Sequence, residues 1–176
     1  MKNIIKKIRD GDENAFKELT LVIQNDLYRI ARTRLKNDED IKDAIQNTMI
    51  ITYKSVNKIK NVDSFKYWMI HVLINECNKI YNLNKKNIEI IDKSLNDSEL
   101  SINLINEMNS KLDFERILDV LNYEEKIVIT LYYNSQFTCR QISKLLGINI
   151  NTVKSRLLRG KKKIKKIYKE ELQYDL

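Results

Sequence analysis

The chain has 176 residues, 43% of them hydrophobic, with no proline and three glycines. This composition favours long helices joined by polar turns over turn-rich β architecture, and it leaves no glycine-rich phosphate loop. The formal net charge of +8 is concentrated, since 154–169 holds nine Lys or Arg and no acid; clustered cations of this kind suit a polyanionic partner, whose condensed counterions they displace.

From the N-terminus, Ile4, Ile5 and Ile8 recur at helical spacing, followed by Ala15, Phe16 and Leu19. Ile23, Leu27, Ile30 and Ala31 form a second stripe, and Ile41, Ala44, Ile45, Thr48, Met49 and Thr52 a third. Apolar positions three and four apart return to one face, so each segment has a side to bury. Asp38 or Asp40 is placed to cap the third helix. With Glu39 and Asp43 they form an acidic group that favours the positive end of a helix dipole more simply than it forms a metal site. Residues 60–63 predict a turn, after which a fourth helix starts near Ser64 with Phe65, Trp68, Met69, Val72, Leu73 and Cys77 inward.

Residues 83–111 hold six Asn and four Ser without dense periodicity. These side chains compete for backbone hydrogen bonds and weaken long helices, so the segment reads as a linker with a short helix around 102–108. Leu112, Ile117, Leu118 and Leu121 open a third block. There Asn122 and Glu125 have the spacing of a capping box, for a helix through Ile127, Val128, Leu131 and Tyr132. The expected architecture is therefore all-α, two small helical domains at 1–82 and 112–176 joined by a linker at 83–111. Two distant cysteines, Cys77 and Cys139, and the lack of an apolar run suited to a signal peptide or membrane span predict a reduced, cytoplasmic setting.

The sharpest pattern is 138–160. Ile142, Leu145 and Leu146 share a face of a short helix, and Gly147 follows where a positive φ ends a helix. Ile148 closes the turn inward, Asn149 offers a new cap, and Val153 and Leu157 give the second helix a buried seam. Two short helices, a glycine-containing turn and a basic second helix make a DNA-reading helix-turn-helix. With Val153 and Leu157 inward, Lys154, Ser155, Leu158 and Lys162 project outward and Arg159 lies near the edge. Lys154 and Arg159 suit guanine edges or phosphates, Ser155 either, and Leu158 a thymine methyl. The amides at 150–152, ending at Thr152, sit where a helix N-terminus takes a phosphate; Arg140, on the preceding helix, joins the candidate set. Lys161, Lys163, Lys165 and Lys166 suit sequence-independent attraction.

At these residues the chain resembles the ECF (extracytoplasmic-function, group IV) RNA polymerase sigma factors. The run Asn151-Thr-Val-Lys-Ser-Arg156 is similar to the −35-reading helix of their fourth conserved region. Gly11-Asp-Glu-Asn-Ala-Phe16 resembles the opening helix signature, Asp43-Ala-Ile-Gln-Asn-Thr-Met49 the polymerase-contacting helix of the second conserved region, and Phe65-Lys-Tyr-Trp-Met69 with Asn75 the helix that faces the −10 element. Met49 stands where an aromatic is common, Asn122-Tyr123 replaces a proline-containing start, and Asn151 stands where a small residue is frequent.

The resemblance implies an alternative sigma factor that binds core RNA polymerase and directs promoter-specific initiation. It sets Asp43, Gln46 and Asn47 against the polymerase clamp, and assigns the −10 element to Asn61, Asp63, Ser64, Lys66, Tyr67, His71, Asn75 and Lys79. The −35 element falls to Arg140, Thr152, Lys154, Ser155, Leu158, Arg159 and Lys162. Trp68 is read as core rather than as a stacking platform. Such a protein performs no covalent chemistry, so neither enzyme activity nor a cofactor is expected, and one histidine with two distant cysteines makes no zinc set. Many members are held inactive by an anti-sigma factor, a partner the resemblance therefore admits, and no membrane insertion is expected. The alternative reading is a dimeric helix-turn-helix regulator that acts without entering the polymerase.

Overall fold

The computed structural model describes residues 2–59, 61–92 and 120–174, with side chains through 86 in the helix that ends at Asp92 and through 166 in the last helix. The chain divides into two units, Met1–Leu83 and Asn84–Leu176, and the described residues are helices and turns.

The first unit opens with α1 (Lys2–Arg9), which buries the three isoleucines of its single apolar face. Gly11, at φ 89°, turns the chain, and the Asp12 carboxylate accepts from the amides of Asn14 at 2.9 Å and Ala15 at 3.2 Å to start α2 (Glu13–Arg32). Ala15, Leu19, Ile23, Leu27, Ile30 and Ala31 line its buried side, as their spacing predicts. The cap of α3 (Asp38–Ser55) differs from the expectation. Asn37 fills that place, accepting from the Glu39 amide at 2.7 Å, and Asp38, Glu39 and Asp40 lie in the first turn. An Asx cap needs extended backbone before the helix, which Asn37 has at φ −82°, ψ 131°; the three acids then act on the helix dipole.

Two short 3-10 turns, Val56–Lys58 and Val62–Ser64, lead into α4 (Phe65–Asp92). Its core face carries Phe65, Met69, Ile70, Leu73, Ile74 and Cys77, whereas Trp68 and Val72 are half-buried. The expected inward set was thus one position off along part of the stripe, because four apolar residues, Trp68, Met69, Ile70 and Val72, interrupted only by His71, leave the rotation of the helix undetermined by pattern alone. α4 stays helical to Asp92, so the first ten residues of the expected linker 83–111 are helical. Asn in this stretch, at Asn84 and Asn87, lowers helix propensity by only a few tenths of a kcal/mol each, about what an established helix absorbs. The short helix expected around 102–108, and Leu112, Ile117 and Leu118, lie outside the described residues.

In the second unit, α5 (Tyr123–Ile129) starts at the Asn122/Glu125 capping box and is followed by a π turn, Thr130–Asn134, where a plain α-helix was expected through Tyr132. Gln136 then takes φ 60° and Phe137 folds inward. A second capping box, Thr138/Gln141, starts α6 (Cys139–Leu146), and Gly147 at φ 64°, ψ 30° ends it. The last helix, α7 (Ile150–Tyr174), begins after Asn149, whose carboxamide accepts from the Asn151 amide at 2.8 Å. Leu121, Ile127, Val128, Ile129, Leu131, Phe137, Ile142, Leu145, Val153 and Leu157 make this unit's core.

Candidate nucleic-acid interface

In α3, Ala44 and Thr48 are fully buried and Ile45 half-buried, which turns Asp43, Gln46 and Asn47 to the exposed side. The same exposed face continues, three and four residues on, through Ile50 and Tyr53. Tyr53 meets Phe16 of α2 edge to face at 5.1 Å. Sequence reasoning missed this apolar continuation, since Ile50 and Tyr53 look like core residues until the helix is rotated into place.

The turn before α4 is built from Asn61, whose carboxamide accepts from the Asp63 amide at 2.9 Å while its carbonyl accepts from the Ser64 amide at 3.2 Å. Asn61, Asp63 and Ser64 are exposed. Two cations of α1 brace this region. The Arg9 guanidinium donates to the carbonyls of Val56 and Ile59, and the Lys2 ammonium lies 2.6 Å from the Asp63 carboxylate. Neither was legible in the sequence, because nothing in an N-terminal basic helix says which loop it will meet.

Along α4, His71, Asn75 and Lys79 are exposed, one turn apart, and the amide of Asn75 lies 3.4 Å from His71 Nδ1. Lys79 pairs with Glu76 at 2.6 Å. Tyr67 is half-buried, and Lys66 reaches back to Asp26 of α2 at 2.7 Å in a half-buried ion pair, so its ammonium is engaged within the fold. Beside Asn75 and Lys79 lies a groove of about 440 Å³ lined by Ile51, Val72, Asn75, Glu76, Asn78, Lys79 and Asn82. Burial pushes the Cys77 thiol up to about 12, which keeps it a neutral core group.

In the second unit Val153 and Leu157 are 0% and 7% exposed and Leu158 is 56% exposed, so the faces of α7 separate as their spacing requires. Lys154, Ser155, Arg159, Lys162 and, on α6, Arg140 are exposed, and Thr152 is half-buried. Ser155 donates its hydroxyl proton to the Thr152 carbonyl at 3.0 Å. A further set of cations is tied down: Arg156 lies 2.9 Å from Glu124, Lys163 2.7 Å from Glu125, and the Arg159 Nε 3.8 Å from Glu125. Lys161 sits over the rings of Tyr132 and Tyr133, and its hydrogen bond to Tyr133 raises its pKa.

Comparison with known proteins gives these surfaces a context. The family model "Sigma-70 region 2" matches residues 22–85 and "Sigma-70, region 4" matches 111–164. The chain is 27% identical to RNA polymerase sigma factor SigV of Bacillus subtilis over 157 residues, covering 85% of this chain and 89% of that one. It is 24% identical to the ECF RNA polymerase sigma-E factor of Haemophilus influenzae, covering 92% and 91%. Among solved structures, the sigma factor RpoE bound to the anti-sigma factor NepR from Bartonella quintana aligns with a TM-score of 0.65 at 21% identity, over 88% of this chain and 96% of that one. CnrH, in complex with the cytosolic domain of CnrY, aligns at 0.61 and 15%, over 95% and 96%. No helix of the described residues is long and apolar enough to cross a membrane. The match over 22–85 lies outside the helix-turn-helix, and a dimeric regulator built on that motif alone does not account for it. Two ordered regions of one family, each on its own helical unit, make the chain a member of the ECF, or group IV, RNA polymerase sigma factors, the alternative sigma factors that direct promoter-specific initiation.

Proposed function

We propose that this sigma factor divides its work at the residue level as 1–82 for core polymerase and the −10 element, 83–111 as connector, and 112–176 for the −35 element. The observation that carries the last assignment is the two-sided character of α7, with Val153 and Leu157 buried while Lys154, Ser155, Leu158, Arg159 and Lys162 stand exposed behind a left-handed Gly147 turn. In a major groove, Lys154 and Arg159 donate to guanine edges or phosphates, Leu158 meets a thymine methyl, and Arg140 and the amide end at Thr152 take phosphates. The −10 set is Asn61, Asp63, Ser64, Tyr67, His71, Asn75 and Lys79. Asn75 and Lys79 of this set line the groove that Ile51 and Val72 floor, and hydrogen-bonding edges beside apolar surface are what an extruded base requires. Lys66, held by Asp26, serves that face by fixing α4 to α2.

Asp43, Gln46 and Asn47 bind the polymerase, with Ile50 and Tyr53 adding apolar area at one end of the polar group. Holding both reading units on one polymerase makes the second contact intramolecular, so two weak contacts act together. The protein acts in the cytoplasm, catalyses no reaction itself, and is a candidate for restraint by an anti-sigma factor, as the aligned sigma factor RpoE is seen bound to the anti-sigma factor NepR.

The test is transcription by core polymerase supplemented with the purified chain, read by sequencing the transcripts. A discrete set of start sites sharing two spaced elements is expected, and no selection among promoters overturns the reading. Lys154→Ala should lower −35-dependent initiation while leaving polymerase binding unchanged.

A further inference from the structure

Glu125 is a carboxylate buried to 2% exposure that the DNA-binding reading leaves without a task. As the third residue of α5 it closes a capping box: its Oε2 accepts from the Asn122 amide at 3.3 Å, and its own amide donates to Asn122 Oδ1 at 2.9 Å. A capping box does not need a charge. The neighbouring helix α6 is started by an equivalent box in which a neutral amide does the same work, Gln141 Oε1 accepting from the Thr138 amide at 2.9 Å. What the charge on Glu125 adds lies on α7, 34 and 38 residues further along. The Lys163 ammonium is 2.7 Å from Oε2, and the Arg159 Nε is 3.8 Å from Oε1. A buried carboxylate is tolerated only with such partners.

The cations of α7 thereby fall into two sets. Arg156, Arg159 and Lys163, spaced by three and four, lie on the side that meets α5 and face Glu124 and Glu125. Lys154 and Lys162 are exposed as Arg159 and Lys163 are, but among the described residues they make no ion pair with α5. The packing between α5 and α7 is close as well: a Cβ built on Gly160 meets Ile129 Cγ1 at 2.9 Å and Glu125 Cβ at 3.8 Å. Rotation of α7 about its seam would break the Lys163 pair and drive other side chains into α5.

We propose that Glu125 is a positioning residue for DNA recognition, which withholds the Lys163 ammonium from phosphates and aims the Arg159 guanidinium through its Nε. This rests on the reading of α7 as the −35 helix. Specificity is a difference between affinities, so removing a cation from sequence-independent attraction sharpens it as surely as adding a base contact. At 3.8 Å the Arg159 Nε faces Glu125 as an ion pair and not as a hydrogen bond, so the guanidinium keeps its N–H donors for a groove.

The experiment measures binding of the full chain to a random-sequence duplex as a function of salt, and initiation by reconstituted polymerase on its selected promoter with the −35 element intact or scrambled. Glu125→Gln keeps the box and drops the charge. It should tighten random-duplex binding at low salt about threefold and steepen the salt slope by about one released counterion. Preference for the intact −35 element should fall about fivefold or more, the loss of one aimed side chain. Adding Lys163→Ala should return the slope to its original value.

An unchanged slope in Glu125→Gln overturns the proposal, as does a parallel loss of random-duplex and promoter binding, which marks a merely structural role. Should Glu125→Gln fail to fold, single variants in the otherwise unchanged chain decide: Lys162→Ala should flatten the slope by about one counterion and Lys163→Ala by less than half of that. Equal effects overturn the proposal. If the unmodified chain cannot tell an intact from a scrambled −35 element, α7 is not the reader and both readings fall; if it can, only this one is at stake.

Discussion

The two units position their candidate DNA-reading surfaces by different means. In the second, nearly every device is local. Asn122/Glu125 and Thr138/Gln141 start their helices within four residues, Gly147 ends one, and Asn149 starts the next. In the first, the turn that holds Asn61, Asp63 and Ser64 is braced from 47 to 61 residues away, by Arg9 on the carbonyls of Val56 and Ile59 and by Lys2 on Asp63. A surface of short-range devices is readable from its own segment, whereas one held by distant cations is readable only once the chain has folded. The same contrast decides where each surface is vulnerable.

The largest effect is expected where the second unit departs from its own rule and depends on a tertiary contact. Gly160 sits in mid-helix at a separation that leaves no room for a branched side chain beside Ile129. Gly160→Val should destabilise the second unit by about 1–3 kcal/mol through overpacking. It should also abolish −35-dependent initiation, because α7 can relieve the clash only by moving off α5. Trp68, the single tryptophan, lies in the first unit, so its fluorescence in a urea titration should keep its midpoint while far-ultraviolet dichroism shows an earlier phase. A shift of the Trp68 transition would mean that the units do not unfold independently.

Next comes Arg9→Ala, which frees two carbonyls from a charged donor in a half-buried site. A loss of about 1–2 kcal/mol is expected on the Trp68 transition, with weaker use of the −10 element and unchanged use of the −35 element. Arg9→Lys should recover less than half, since an ammonium cannot span both carbonyls as a planar fork does.

Most of the fold was legible because most of it is periodic. The stripes of α2 and α3, the glycine turn, and the Val153/Leu157 seam follow from apolar spacing and from chemistry that permits one local conformation. The outward placement of Asp43, Gln46 and Asn47, and of Lys154, Ser155, Leu158 and Lys162, follows from those stripes by geometry alone. What the pattern could not give was of two kinds. The rotation of α4 was ambiguous because apolar residues nearly surround it at 68–74, so Ile70 and Ile74 went unassigned and Trp68 was set too deep. The ion pairs Lys66–Asp26, Arg156–Glu124 and Lys163–Glu125 join residues 32 to 40 apart, and no spacing rule within one helix reaches that far. The π turn at Thr130–Asn134 belongs with these, since its sequence is indistinguishable from an α-helical one.

Gly147→Ala tests the local side of the comparison and should cost about 1 kcal/mol, the penalty of a Cβ at φ 64° where no neighbouring atom lies within 4 Å. Gly147→Asn should recover a good part of it, because asparagine tolerates the left-handed region. Both should appear in the dichroism phase of the second unit and leave the Trp68 midpoint in place.

The smallest effect is expected from Lys2→Ala, and it is the one that separates the two braces of the first unit. The Lys2–Asp63 pair is short, at 2.6 Å, yet its side chains are 70% and 66% exposed. Water screens such a pair, and holding two long side chains in one geometry offsets most of what remains, so the change should stay within about 0.5 kcal/mol on the Trp68 transition and vanish at high salt. Arg9, by contrast, satisfies backbone carbonyls, which salt screens far less. If Lys2→Ala matched Arg9→Ala in size and in salt dependence, the turn before α4 would be held by charge attraction and not by the fork on its carbonyls. The long-range brace would then weaken with ionic strength, just as the attraction between a basic protein and DNA does.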